Sequence, residues 1–230
     1  MIADRVAAVR ERIARAADRA SRPAEAVRLV AISKTFPAEA VRAAFAAGVR
    51  DFGENRVQEA EPKIAALADL ASARWHLVGH LQSNKARRAA TLFDTVHSVD
   101  SLELGRRLAR AGSESGRTLR GLLQVDLAGE ETKFGLDEAQ LLPALEALRR
   151  EQGLAIEGLM VLPPYLDEPA AVRPFFSRLR ELGVRAAAAG LTSGRELSMG
   201  MSHDFEVAIE EGATMVRVGS AIFGDRPYAG

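Results

Sequence analysis

The sequence predicts an α/β fold: a single (βα)8 TIM barrel preceded by one extra N-terminal helix. Three observations predict it. Eight short apolar runs alternate with helical stretches from residue 27 onward. Such alternation implies parallel strands, because each return crossing needs a helix. The length, 230 residues, is near the smallest that holds eight such units, roughly 200–250 residues. No linker, repeat or low-complexity stretch marks a second domain, so residues 1–230 are expected to form one.

The first twenty residues read as an amphipathic helix. Ile2, Val6, Val9, Ile13 and Ala16 recur at spacings of four and three, which lines one face. Pro23 ends the pattern. The first apolar run is VRLVAISK (27–34), and Pro37 opens the helix after it, with Val41, Phe45 and Gly48 behind. VRDFGEN (49–55) precedes a helix over Val57–Leu70, and RWHLVGH (74–80) precedes one over Ser83–Thr91. DTVHSVD (94–100) leads into Leu102–Ala111, and LRGLLQVDLA (119–128) into Asp137–Arg150. IEGLMVLPPY (156–165) is followed by Ala170–Leu182, with AAAAG (186–190) as a helix end and loop. ELSMGM (196–201) is followed by His203–Glu211, and MVRVGSAIFG (215–224) is the eighth run. Each run has strand length, and most are rich in Val, Ile, Leu or Phe. An open doubly wound sheet is the alternative. It would prefer a Gly-rich phosphate loop after the first strand, where this chain reads SKTFPAEA.

Composition narrows the function. Thirty-one basic residues balance thirty-one acidic ones, which argues against a global electrostatic grip on nucleic acid. There is no cysteine, so disulfides, thiolate zinc sites and cysteine nucleophiles are excluded. The N-terminus is charged throughout, and no apolar run reaches the ~18 residues that span a bilayer. A soluble cytoplasmic protein, free of membrane and nucleic acid, is the expectation. Only four basic residues are lysines: Lys34, Lys63, Lys85 and Lys133. Arginine cannot replace an amine that must lose its proton and attack a carbonyl, so each lysine matters.

Barrel chemistry gathers at the C-terminal ends of the strands. Val30, Ile32 and Lys34 share a face, which would aim Lys34 into the barrel rim. Burial there favours the neutral, nucleophilic amine; the bland reading pairs Lys34 with a carboxylate such as Glu54. Asn55 stands beside it, as a ligand contact or as an N-cap. His80, at the third strand's end, would stack on a ring or face solvent. Trp75 and His76 read as packing, and Asn84, Lys85 and Lys63 as surface. Lys133, in GEETKFG, is a loop lysine and the only serious reserve for Lys34. Met201-Ser202 and Gly219-Ser220 follow the last two strands. Small residues and helix starts there present amide groups to an anion, where barrels often bind phosphate. Met215, Arg217 and Gly219 share a face, so Arg217 points inward and needs a partner: a barrel carboxylate or an acceptor on a ligand. A phosphorylated aldehyde fits the set, either pyridoxal 5'-phosphate or a sugar phosphate handled by a Schiff-base aldolase.

Six ordered motifs carry a resemblance over nearly the whole chain: LVAISKTFP (29–37), FGENRVQE (52–59), WHLVGHLQSNK (75–85), GLMVLPP (158–164), LSMGMSHDFEVAI (197–209) and TMVRVGSAIFG (214–224). In these the chain resembles the pyridoxal-phosphate homeostasis proteins of the YggS/PROSC type. The resemblance implies the alanine-racemase N-terminal barrel without its β-rich second domain. It implies that Lys34 carries the cofactor as an internal aldimine and that Met201, Ser202, Gly219 and Ser220 hold the phosphate. It places Arg217 at the pyridine nitrogen and Asn55 near the ring, and carries no catalytic role onto His80. It implies intracellular cofactor buffering or delivery to pyridoxal-phosphate-dependent apo-enzymes, without robust catalysis. A complete barrel needs no partner to close its core, so a monomer is the expectation. The alternative is an amino-acid racemase or related enzyme. Fold-related racemases take a catalytic tyrosine from a second domain, and the two tyrosines here are Tyr165 and Tyr228.

Overall fold

A computed structural model describes residues 1–129 and 134–224. Lys133 and Tyr228 lie outside the described residues. The strands are β1 (Arg28–Ile32), β2 (Asp51–Glu54), β3 (Arg74–Leu77), β4 (Thr95–Val99), β5 (Leu119–Asp126), β6 (Leu136–Asp137), β7 (Leu154–Val161), β8 (Glu196–Met201) and β9 (Met215–Val218). They pair in the order β4-β3-β2-β1-β9-β8-β7-β5, and β5 pairs back onto β4, which closes an eight-stranded barrel. Every pairing is parallel. The two-residue β6 is a spur on the edge of β5 and was not anticipated.

The helices are α1 (Ile2–Arg19), α2 (Ala38–Ala46), α3 (Val57–Ala66), α4 (Ala86–Leu92), α5 (Leu102–Glu114), α6 (Glu138–Leu148), α7 (Arg173–Ala188), α8 (Phe205–Glu210) and α9 (Ser220–Phe223). The helix expected over Ser83–Thr91 is a 3-10 turn, Ser83–Lys85, running into α4. Another 3-10 turn, Pro169–Val172, precedes α7. The apolar runs overshoot most strands: the first ends its ladder at Ile32, the third at Leu77 and the last at Val218. Their apolar residues continue because the loops at the barrel rim are buried too, as at Val78 and Leu81. Hydrophobicity reports burial, whereas a strand ends with its backbone pairing.

Two apolar clusters divide the molecule. Val30, Ile32, Val78, Leu122, Met160 and Met215 fill the barrel interior. The larger cluster lies between the sheet and its helical ring. Val30 and Ile32 face inward as the two-residue period requires, and Ala31 faces the helices. The barrel is narrow there: a Cβ on Gly53 would meet the Ile32 Cδ1 at 2.4 Å.

The extra helix completes the ring. α9 has only four residues, too few to cover the seam between β9 and β1. α1 packs instead against α2, α8 and α9 through Val6, Val9, Ile13, Ala16 and Ala17. Arg12 forks onto Glu206 at 3.1 and 2.8 Å and lies 4.5 Å over the Phe205 ring. Arg22 donates to the carbonyls of Ile209 and Ala213, both at 2.9 Å.

Candidate functional site

A cavity of about 760 Å³ opens at the C-terminal ends of the strands. Its size is that of a small-molecule site, roughly 300–1,000 Å³. Lys34, Asn55, Met201, Ser202, Arg217, Gly219 and Ser220 all line it. They come from the ends of β1, β2, β8 and β9, and β8, β9 and β1 are neighbours in the barrel.

Lys34 is half-buried, two residues past the end of β1. The next residue, Thr35, has φ +67°, left-handed backbone that a β-branched residue rarely adopts and that clusters at functional sites. Glu54 is not its partner. Glu54 is fully buried on the other side of the sheet, where its Oε1 accepts from Ser33 Oγ at 2.7 Å and from Lys63 Nζ at 2.6 Å. Lys63 also donates to the Ser33 carbonyl at 2.7 Å. The expected surface reading of Lys63 is therefore corrected: its side chain is 11% exposed, and it clamps the peptide that leads into Lys34. The sequence signal was Glu54 on the same strand face as outward-packing Phe52, beside a helix that carries Lys63.

The opposite wall is built by the ends of β8 and β9. Gly200 has φ +87°, and a Cβ there would stand 2.8 Å from the Phe205 Cα. Only glycine lets the chain turn this tightly into α8. The turn presents Ser202 Oγ, which accepts from the backbone N–H of Gly219 at 3.1 Å and of Ala221 at 3.4 Å. Two amides and a hydroxyl thus converge where small residues permit close approach. The Met201 N–H donates to Asp204 Oδ1 at 2.6 Å, so this amide is engaged within the protein. Burial pushes the Asp204 carboxyl up, against the pull of that amide and of Arg217.

Arg217 is buried on the inward face. The barrel carboxylate considered as its partner is replaced by Ser198 Oγ at 2.6 Å and the Val161 carbonyl at 2.9 Å. Burial pushes the guanidinium down to about 10, with Asp204 opposing, so it stays charged at neutral pH. Below it runs a polar chain that sequence reasoning missed. His97 Nδ1 meets Ser198 Oγ at 2.8 Å, His97 Nε2 meets His76 Nδ1 at 2.8 Å, and His76 Nε2 meets Asp51 Oδ1 at 3.0 Å. Reading His76 as packing alone is thereby corrected; Trp75 does pack outward, 5.6 Å from Phe52. The signal was available: His76 precedes inward-facing Val78 by two residues.

At the mouth, His80 stacks on Phe134 with centroids 3.5 Å apart and meets Asp100 Oδ2 at 2.8 Å. Tyr165 stacks on His203 at 5.1 Å and lines the cavity. Asn84 is exposed in its 3-10 turn, as expected for a surface residue. The donor set suits a planar, phosphorylated aldehyde: an amine, a charged guanidinium and a hydroxyl–amide cradle. Among the described residues no cluster could hold a metal ion, and no helix is long and apolar enough to cross a membrane.

Comparison with known proteins agrees. The family model for the alanine racemase N-terminal domain matches residues 5–227. A Pseudomonas aeruginosa protein named pyridoxal phosphate homeostasis protein is 47% identical over 228 residues, covering 99% of this chain and 96% of its own. Its namesake in Aquifex aeolicus is 40% identical over 225 residues, 98% of either chain. The structure of PipY from Synechococcus elongatus with PLP bound superposes with a TM-score of 0.87 at 44% identity, over 97% of this chain and 100% of that one. Alanine racemase from Corynebacterium glutamicum, 20% identical, shares the fold with a TM-score of 0.74; the match spans 99% of this chain and 63% of that longer one.

Proposed function

We propose a function from one premise: the chain belongs to the alanine racemase N-terminal domain family, among its pyridoxal phosphate homeostasis proteins. It binds pyridoxal 5'-phosphate through Lys34 and serves the homeostasis and delivery of that cofactor rather than turnover of a substrate. The observation that carries this is the cavity in which three adjacent strands supply Lys34, Arg217 and the Ser202 cradle.

When bound, the cofactor supplies an aldehyde that condenses with an amine, and a ring that accepts electrons. Lys34 offers the amine. Ser202, Gly219 and Ser220 face the phosphate with hydroxyls and amides, and Met201 shapes the turn that holds them. Asn55, just past β2, would stand near the ring, and Arg217 would donate to the ring nitrogen. A guanidinium that keeps its proton leaves that nitrogen unprotonated, which weakens the electron sink that racemases and related enzymes exploit. This supports a carrier over the alternative, a pyridoxal-phosphate-dependent racemase. We further propose that residues 1–230 act as one domain, as a monomer in the cytoplasm, handing the cofactor to apo-enzymes. Closure of the barrel within one chain supports the monomer.

The test is the absorption spectrum of purified protein loaded with pyridoxal 5'-phosphate. The band of the lysine-bound cofactor is expected in the wild type and absent in a folded Lys34→Ala variant. An unchanged band in that variant would move the attachment to another lysine. Exchange of amino-acid α-protons in deuterated buffer at ~1 per second or faster, within the usual enzyme range, would overturn the carrier reading.

A further inference from the structure

The polar chain beneath Arg217 has a direction. Asp51, His76, His97, Ser198 and Arg217 are each no more than 5% exposed, so water does not rearrange their bonds. Burial pushes the Asp51 carboxyl up, but the hydrogen bonds of Arg74 and His76 overrule it and hold it well below the usual carboxylate range. Asp51 is therefore an acceptor only. Burial also pushes His97 well below its usual value and lowers His76 against the pull of Asp51, which favours the neutral form of both rings.

Each proton follows. His76 must carry its hydrogen on Nε2 to reach Asp51, which leaves its Nδ1 an acceptor. His97 must then donate from Nε2 to His76, and its own Nδ1 accepts. Ser198 must turn its O–H to His97. The Ser198 oxygen is left with its lone pairs toward Arg217 Nη1. The anion at the base of the barrel thus sets every donor and acceptor up to the cavity. With the Val161 carbonyl on Nη2, two of the five guanidinium donors are tied, and the plane of the group is fixed against the cavity wall.

We infer that Asp51, His76, His97 and Ser198 are positioning residues that fix where Arg217 aims its donors and so favour a ligand whose ring nitrogen is an unprotonated acceptor. The inference rests on the proposed binding of pyridoxal 5'-phosphate. The chain reaches from Arg74, half-exposed beside Asp51, through the barrel interior to the ligand cavity. None of its members below Arg217 lines the cavity.

The experiment compares pyridoxal 5'-phosphate with its 1-deaza analogue, in which C–H replaces the ring nitrogen. One hydrogen bond to a charged donor predicts that wild type prefers the natural cofactor by roughly ten- to a hundredfold. In His97→Phe the preference is expected to shrink toward one, through weaker binding of the natural cofactor alone. Ser198→Ala is the second variant, should the first fail to fold, with the same expected outcome. Equal weakening of both ligands would reveal a merely structural role and overturn the inference, as would an unchanged preference. Nitrogen-15 spectra of the cofactor-free protein test the chain without ligand: both imidazoles are expected neutral and protonated on Nε2. An imidazolium or a reversed tautomer would overturn the inference. Wild type that binds neither ligand would overturn the reading of the cavity itself, a failure distinct from a lost preference.

Discussion

Lys63→Met separates the clamp behind Lys34 from ordinary surface charge. Methionine keeps an unbranched apolar stem of nearly the same length and removes the ammonium. Glu54 is then left fully buried, with Ser33 Oγ as the remaining donor to its Oε1, while Oε2 already has no partner. Removing one member of a buried pair costs about 3–5 kcal/mol, because the surviving charge is uncompensated. That is a large share of a total near ~5–15 kcal/mol. At ~2–4 °C per kcal/mol for a chain of this size, the thermal midpoint should fall by roughly 6–20 °C. The assay is thermal and urea unfolding of cofactor-free protein at pH 7.5, followed by circular dichroism. The double variant Glu54→Gln/Lys63→Met leaves no unpaired charge at this position and should recover most of the loss. Cofactor affinity should drop in Lys63→Met as well, because the Ser33 carbonyl loses its donor one residue before Lys34. A Lys63→Met protein within ~1 kcal/mol of wild type would refute the reasoning, as would a double variant less stable than the single.

Gly200→Ala should destabilise the protein by about 2 kcal/mol or more, since it combines φ +87° with a Cβ 2.8 Å from the Phe205 Cα; urea unfolding measures this. Cofactor binding should weaken in the same variant, as Ser202 shifts from the cradle. Acid sensitivity should come from the two buried imidazoles. Their folded pKa values lie below the unfolded value of ~6.5, so the unfolded chain takes up protons that the folded one refuses. Their contribution is fully present above that value, and stability should fall as pH drops below it, by up to ~1.4 kcal/mol per pH unit per imidazole. A flat stability profile between pH 6.5 and 5 would refute this for both rings, and half the expected slope would refute it for one.

The barrel was legible because its signals are local. Eight runs of strand length were separated by helical periodicity, and two-residue parity correctly turned Val30, Ile32, Met215 and Arg217 inward. The same parity brought Lys34, Arg217 and Gly219 to one cavity, although they are far apart in sequence. Boundaries were less legible, since Val78 and Leu81 are apolar through burial in the rim rather than through pairing. The pairing of Glu54 with Lys63 was hidden because a lysine on an amphipathic helix looks solvated until the sheet beneath is placed. The chain from Asp51 to Ser198 joins four strands, and only barrel closure brings them together. Each histidine alone in its strand is ambiguous; their sum decides how Arg217 is held.

The position of α1 also orders the birth of the molecule. Residues 2–19 leave the ribosome long before the seam they cover is complete, since its other side, α8 and β9, is made almost two hundred residues later. The contacts of Arg12 with Glu206 and of Arg19 with Glu210 span 194 and 191 positions. Until then α2 alone can cover part of the apolar stripe of Val6, Val9 and Ile13, and the rest is open to chaperones or to aggregation. Such long-range closure makes slow folding. A circular permutant that places α1 after α9 would turn those distant contacts into local ones, and its refolding should be faster at equal stability.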